Sequence, residues 1–187
     1  MRLKREFYLR SDVVVIAQEL IGKVLCTNIN GQLTSGIISE TEAYCGRNDK
    51  ACHANNNVRT SRTEIMYEKG GHAYVYLCYG IHHLFNVVTN RVGLADAVLI
   101  RGVEPLEGKD TMIERRRTNK NLSNGPGKLT KALGISLDHY GLDLLGDTIW
   151  IEDRGLLIKP EQIKNSKRIG IEYAMEDAEK MWRFYID

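Results

Sequence analysis

Alternating hydrophobic and polar positions along the chain indicate short strands more often than long helices. Asn30-Gly31 separates two such runs, 23–29 and 32–44, and this dipeptide is typical of a two-residue type I′ hairpin. Because most connections between neighbouring runs are too short for crossovers, we expect a mainly antiparallel sheet. Further β-rich runs cover 72–79, 83–89 and 97–103, the first two joined by a tight turn at 79–82.

Helical signals are fewer and shorter. Ser11-Asp12 precedes an apolar run over 13–21 and is a typical N-cap, so a short helix is expected there. Together with the strands, such helices predict one mixed α/β (α+β) domain over residues 1–187. Further helices are expected over 109–117 and 128–133, and a late strand over 169–173.

Residues 47–71 show neither pattern. This segment is rich in Asn, Arg, Thr and Gly and is expected to form a long ordered loop. Irregular segments of this length are uncommon in compact domains and are usually functional.

Composition leaves the function open. The formal net charge is only +2 over 187 residues, so any nucleic-acid surface must come from local clustering. The two basic runs, 115–120 and 164–168, are interpreted on their own as solvated faces. No secretory or membrane-spanning segment is apparent, which favours a cytoplasmic protein. Four cysteines without a CxxC pair are expected to be free thiols: Cys26, Cys45, Cys52 and Cys78.

The run 38–44 contains the most unusual polar pattern. If it is a regular strand, Ile38, Glu40, Glu42 and Tyr44 share one face. Such a face is either a solvated strand surface or a pair of carboxylates, of which one activates water in a glycoside-type hydrolysis.

Several other side chains are candidates for a pocket. His53 is open to three interpretations: a structural histidine, a contact to a base, or a metal ligand, although the usual zinc spacings are missing. Asn86 and Arg101 interrupt apolar runs and either bond within the core or point into a pocket. Tyr74 and Tyr76 share a strand face and are core or ligand-stacking residues.

Two further features sit at turns. Tyr79 lies at a hairpin tip, where an exposed ring could fill the gap left by an extruded base. Gly125-Pro126-Gly127-Lys128 opens a helix that is either an ordinary helix start or a phosphate grip formed by free N–H groups and a lysine.

Taken in order, these motifs resemble the alkyladenine (3-methyladenine) DNA glycosylase family, in its bacterial form. The similarity covers almost the whole chain. The motifs are Glu40-Thr41-Glu42-Ala43-Tyr44, Asp49-x-Ala51-x-His53, Tyr74-Val75-Tyr76-x-x-Tyr79-Gly80, Asn86, Arg101-Gly102, Asn124-Gly125-Pro126-Gly127-Lys128, Arg168-Ile169-Gly170-Ile171 and Trp182-Arg183-Phe184.

The resemblance implies a single domain with a curved antiparallel sheet surrounded by helices and loops. It implies a metal-free, cofactor-free, monomeric and nucleoid-associated enzyme that excises damaged purines from double-stranded DNA. Glu42 then corresponds to the general base that activates water, and Arg101 to a second catalytic group holding that water or a phosphate. The remaining roles are a base pocket of Tyr44, Ala51, His53, Tyr76 and Asn86, an intercalating Tyr79, and backbone contacts from Gly127 and Lys128.

A nucleic-acid-binding module that keeps this fold without hydrolysis is the alternative. The sequence departs from the family pattern at Thr63, Tyr67, His82 and His83. These departures are expected to affect substrate range and contacts at the hairpin tip more than the chemistry.

Overall fold

The computed structural model describes residues 1–186, which form one eight-stranded sheet with short helices. The helices are α1 (Arg5–Tyr8), α2 (Val13–Leu20), α3 (Lys109–Arg116) and α4 (Pro126–Leu133). The strands are β1 (Val24–Ile29), β2 (Gln32–Cys45), β3 (Ala73–Cys78), β4 (His82–Thr89), β5 (Asp96–Glu107), β6 (Ile149–Glu152), β7 (Lys164–Ser166) and β8 (Arg183–Tyr185). 3₁₀ helices cover Asn55–Asn57, Glu64–Tyr67, Leu137–His139, Pro160–Gln162 and Glu172–Glu179.

Every strand pair is antiparallel, which confirms the predicted mixed α/β fold and sheet type. The main strand order is β3-β4-β5-β2-β1-β6, while β8 pairs with β2 and β7. The β1–β2 hairpin turns at Asn30 and Gly31, whose φ angles of 54° and 75° are those of a type I′ turn.

The long strand β2 organises the sheet. Its first half pairs with β1, its second half pairs with β8 at 40–42, and nearly all of it pairs with β5. Register shifts interrupt the β2–β5 ladder on both sides of Glu40. The alternation of side chains between the two faces of the sheet therefore changes between the first and the second half of β2.

One face of the sheet carries the main core. Helix α2 begins where the Asp12 carboxylate accepts the N–H groups of Val14 and Val15, and buries Ile16 and Leu20 against the sheet. Helices α3 and α4 add Met112 and Leu129 to the same core. No helix in the described part of the chain is long and apolar enough to cross a membrane.

The loop predicted at 47–71 is present and covers the other face of the sheet. It contains two short 3₁₀ helices, and its residues Met66 and Tyr67 pack with Tyr74, Val88 and Ala97. The strand predicted at 169–173 is wrong: this segment is a bend followed by the 3₁₀ helix Glu172–Glu179, which is interrupted at Met175. Gly170 has φ 75°, and this left-handed backbone ends any extended run.

Candidate active site

A cavity of about 620 Å³ opens between the β3–β4 hairpin, the long loop and the start of α4. Aromatic rings and backbone groups form most of its wall. The sequence-predicted residues on this wall are Tyr44, Ala51, His53, Tyr76, Tyr79, Asn86, Arg101, Gly127 and Lys128. Such a concave, mainly apolar site with a few convergent polar groups is typical of ligand pockets.

Glu42 lies directly behind this wall. Its side chain is 0% exposed, and its carboxylate accepts hydrogen bonds from three donors. The Tyr44 hydroxyl donates to Oε2 at 2.7 Å, and the Ile169 backbone N–H donates to Oε1 at 2.8 Å. The Arg101 Nη1 group lies 3.4 Å from Oε2. All three donors belong to residues that line the cavity, whereas Glu42 itself does not line it.

The position of Glu42 depends on the irregularity in β2. Ile38 and Ala43 both belong to the main hydrophobic core, so the expectation that Ile38 shares a face with Glu42 and Tyr44 is wrong. The register shifts around Glu40 change the side-chain alternation between these residues. Beyond the shift, Thr41 bonds to the Ala17 carbonyl on the helix side, while Glu42 points toward the cavity wall.

Glu40 has a role different from that of Glu42. Its Oε1 accepts from Arg101 Nε at 2.8 Å and from Arg183 Nε at 2.6 Å. Glu40 is therefore neither a solvated acid nor a second free carboxylate. It fixes the guanidinium of Arg101 beside Glu42, with the Arg101 side chain only 12% exposed.

Burial raises the pKa of Glu42 above its ordinary value. The Arg101 cation, the Ile169 N–H and the Tyr44 hydroxyl act in the opposite direction, and the neighbouring Glu40 charge adds to the increase. Desolvation and the fixed donors therefore act on the pKa of Glu42 in opposite directions, and desolvation is the larger of the two.

His53 joins the aromatic part of the wall. Its Nδ1 lies 2.8 Å from the Tyr74 hydroxyl, and its ring meets the Tyr76 ring edge-on with centroids 4.8 Å apart. Burial and the nearby Arg62 cation lower the pKa of His53 to about 4. The ring is therefore neutral at physiological pH, and its second nitrogen remains for another partner.

Asn86 and Ala51 are both buried beside the cavity. The Asn86 side-chain amide donates to the Tyr74 carbonyl at 3.0 Å, across the β3–β4 ladder. The Ala51 N–H bonds to the Asp49 carboxylate, and the Ala51 carbonyl accepts from the Tyr173 hydroxyl at 3.3 Å. Both residues are therefore held by hydrogen bonds that their positions in the sequence did not reveal.

The tip of the β3–β4 hairpin projects into solvent. Tyr79 is 89% exposed and Ile81 is 72% exposed. Tyr79 and Gly80 have φ angles of 50° and 72°, as a turn between closely paired strands requires. This geometry confirms the predicted hairpin and leaves the tyrosine ring without packing of its own.

The start of α4 forms the opposite rim. Pro126 occupies the first turn and no side chain caps the helix. Gly127 allows a close approach, because a Cβ there would lie 2.9 Å from the His82 ring. Exposed Lys128 completes this edge, which combines backbone N–H groups with a cation.

Sequence reasoning assigned no site role to several residues of the wall, among them Arg62, Ile169 and Tyr173. Ile169 acts through its backbone N–H, which no side-chain pattern reveals, and Tyr173 lies in the segment interpreted as a strand. Two departures from the family pattern stabilise the long loop: Thr63 bonds within its own turn, and the Tyr67 hydroxyl donates to the Val58 carbonyl at 3.1 Å.

No group of three or more His, Cys, Asp or Glu side chains among residues 1–186 is arranged to hold a metal ion. The cysteines described by the structure are all free. The polar groups around the cavity are instead donors, carboxylates and a neutral imidazole.

Comparison with known proteins gives the same kind of protein from a family model and from full-length relatives. Residues 6–187 match the family model described as "Methylpurine-DNA glycosylase (MPG)". Relatives carrying the name "Putative 3-methyladenine DNA glycosylase" align over nearly their full length. The protein from Clostridium perfringens (strain 13 / Type A) is 47% identical over 197 residues, which is 100% of this chain and 96% of the relative. The protein from Chlamydia felis is 46% identical over 189 residues, with 99% and 96% covered.

Proposed function

The chain belongs to the methylpurine-DNA glycosylase family, and we propose that it excises damaged purines from duplex DNA by hydrolysing the N-glycosidic bond. The substrate class would include 3-methyladenine, 7-methylguanine, hypoxanthine and ethenoadenine. One observation supports this most: a buried, hydrogen-bonded carboxylate, Glu42, stands behind an aromatic cavity of about 620 Å³.

In this mechanism the damaged nucleotide rotates out of the duplex and its base enters the cavity. Tyr44, His53 and Tyr76 provide the aromatic walls. A purine alkylated at N3 or N7 carries a positive charge, which is attracted to electron-rich ring faces. The neutral state of His53 avoids repulsion of such a cation. Backbone groups of Ala51 and His53 would read the base edge, and Asn86 would disfavour the 2-amino group of guanine.

Glu42 acts as the general base on a water molecule that attacks C1′. A carboxylate has about four acceptor sites, and the three donors around Glu42 leave one for water. Because Glu42 is covered by Tyr44, Arg101 and Ile169, the arriving nucleotide must displace part of this layer to admit the water. Direct attack by water predicts no covalent enzyme intermediate and no strand cleavage.

The rim residues would hold the DNA. Exposed Tyr79 would occupy the space vacated in the base stack. The N–H groups at the start of α4 and the Lys128 ammonium would contact the phosphate backbone. Arg101 would stabilise the water or the phosphate of the flipped nucleotide. A binding module without hydrolysis would not require the three-donor arrangement around Glu42, so the catalytic alternative is favoured.

Base release from a defined lesion tests this proposal. The protein is incubated with a duplex containing one hypoxanthine, and abasic sites are then cleaved with alkali. We expect release of the free base, unaffected by EDTA, from a strand that stays intact until the alkali step. No release from hypoxanthine or ethenoadenine duplexes, with binding retained, would favour the inactive binding module.

Tyr44→Phe should distinguish the contribution of the Tyr44 ring from that of its hydroxyl. The ring still forms the cavity wall, but the hydrogen bond to Glu42 is lost, so the pKa of Glu42 rises further. Because the base works only when ionised, the acidic limb of the pH–rate profile should move to higher pH. At neutral pH the rate should fall by roughly tenfold, as expected for one charge-assisted hydrogen bond. A single-turnover pH series measures this, and an unmoved acidic limb would exclude the contribution of the hydroxyl.

A further inference from the structure

Arg168 lies in the interior, contrary to the interpretation of its basic run as a solvated face. Its guanidinium forms two parallel bonds to the Asp49 carboxylate, at 2.6 and 2.7 Å. Both side chains are 0% exposed. No local sequence pattern indicates this pairing, because the two residues are far apart along the chain.

This ion pair connects the segments that form the cavity wall. Arg168 also donates to the carbonyls of Ala43 at 2.7 Å and Asp177 at 3.1 Å. Its guanidinium carbon lies 4.8 Å from the centre of the Tyr44 ring and 5.2 Å from that of Trp182. The pair therefore joins the end of β2 to the 3₁₀ helix at 172–179.

Asp49 extends the connection to the base-pocket turn. Its carboxylate accepts the backbone N–H groups of Cys45 and Ala51. Ala51 leads directly to Cys52 and His53, all of which line the cavity. The orientation of this turn thus depends on an anion that Arg168 holds in place.

The residue after Arg168 contacts the proposed base. The Ile169 N–H lies 2.8 Å from Glu42 Oε1, and its peptide unit begins at the carbonyl of Arg168. Fixing the Arg168 side chain at several points restricts where this N–H can lie. The same residue therefore controls one of the three donors to Glu42.

From this arrangement we propose that the Arg168–Asp49 pair is a positioning element for the reaction, holding the Ile169 amide on Glu42 and the Ala51–His53 turn against Tyr44. The proposal rests on the proposed function of Glu42. Neither Arg168 nor Asp49 appears on the cavity wall, so both act through their neighbours.

The energetics of buried ion pairs agree with a geometric role. Removing two charges from water offsets much of their attraction, and apolar residues of similar size often stabilise a fold as well. Within the described residues, the buried Arg168 Nε also has no hydrogen-bond partner. The four directional contacts of Arg168 instead fix the relative positions of β2, the turn at 49–51 and the 3₁₀ helix at 172–179.

A double substitution, Arg168→Met with Asp49→Leu, distinguishes a positioning role of the ion pair from its contribution to the stability of the fold. The apolar pair leaves no unpaired charge buried, but it frees the backbone groups that Arg168 and Asp49 bond, so thermal melting first measures whether the fold persists. A control for loss of an ion pair as such is Arg5→Met with Asp143→Leu, which removes a more exposed pair outside the cavity wall. If the apolar pair does not fold, Arg168→Lys keeps the buried charge but loses the two-bond geometry.

The first measurement does not depend on activity. Carbon-detected NMR follows the titration of the Glu42 carboxyl in the free protein, and hydrogen exchange follows the Ile169 amide. Groups that interact with Glu42 are Glu40 and Tyr44 on β2, Tyr76 on β3, Arg101 on β5 and Arg168 itself. Replacing Arg168 with Met therefore also removes a charge near Glu42, whereas Arg168→Lys keeps the cation and loses only the two-bond geometry. We expect the Glu42 pKa to rise and the Ile169 amide to lose protection in the Arg168 variants alone. Titration and protection equal to wild type would overturn the proposal.

The second measurement is single-turnover release of hypoxanthine. The Arg168 variants should react roughly tenfold to hundredfold more slowly, with the acidic limb at higher pH and lesion affinity changed far less. A loss confined to affinity would contradict the positioning role. If wild type releases no base while the NMR results are as expected, the proposed function fails and the positioning of Glu42 stands.

Discussion

Glu42→Gln is expected to slow base release by roughly 10²- to 10⁴-fold, the usual contribution of a positioned general base. Glutamine keeps the size of the side chain, and its carbonyl oxygen can still accept from the Ile169 N–H. It has no negative charge and takes no proton from water at neutral pH. Affinity for a lesion-containing duplex should stay nearly unchanged, because the cavity wall itself is not altered.

The matched control for this substitution is Glu40→Gln. Glu40 is two residues away, belongs to the same strand and pairs with Arg101 and Arg183. Loss of the Glu40 charge should disturb the orientation of Arg101. We expect it to slow the reaction by less than Glu42→Gln does. Single-turnover rates and fluorescence anisotropy with a hypoxanthine duplex measure both effects. Equal rates for wild type and Glu42→Gln would exclude Glu42 as the base.

Tyr79→Ala is expected to weaken capture of a lesion-containing duplex by roughly tenfold to a hundredfold, because stacking of one base on an aromatic ring contributes about 1–3 kcal/mol. The ring is 89% exposed in the free protein, so its removal should not destabilise the fold. Binding to undamaged duplex should change little, since the ring is needed only where a base has left the stack. Titrations with lesion and undamaged duplexes under the same salt conditions measure the difference.

Two further variants control for the hairpin itself. Tyr79→Gly removes the ring and also accepts the left-handed φ of 50° at this position, so it should bind like Tyr79→Ala. Ile81→Ala removes an exposed apolar side chain from the same tip and should have a smaller effect. Equal losses on lesion and undamaged DNA would contradict a role for Tyr79 as a wedge.

The sequence predicted the features that depend on local pattern. The Asn30-Gly31 and Tyr79-Gly80 turns, the Asp12 cap and the antiparallel sheet follow from turn chemistry and alternation, and all are present. Most candidate residues also meet at one cavity. Their spacing in the chain carries no such information, and the resemblance to a family supplied their grouping.

The features that the sequence did not predict depend on tertiary contacts. The register shift at Glu40 reverses the alternation of β2, and period-two reasoning therefore placed Ile38 on the wrong face. Arg168 lies in a basic run, and only its partner Asp49 explains why it is buried. The Ile169 N–H is a backbone group, and any residue type could supply it.

A crystal structure of Glu42→Gln bound to a duplex with one hypoxanthine would show whether Glu42 stands where a general base must. We expect the damaged base to lie between Tyr44 and Tyr76, with a single water between the residue 42 side chain and C1′ of the rotated nucleotide. A base that remains stacked in the duplex would exclude this role for Glu42. So would a nucleotide whose C1′ faces a different wall, with no water within reach of residue 42.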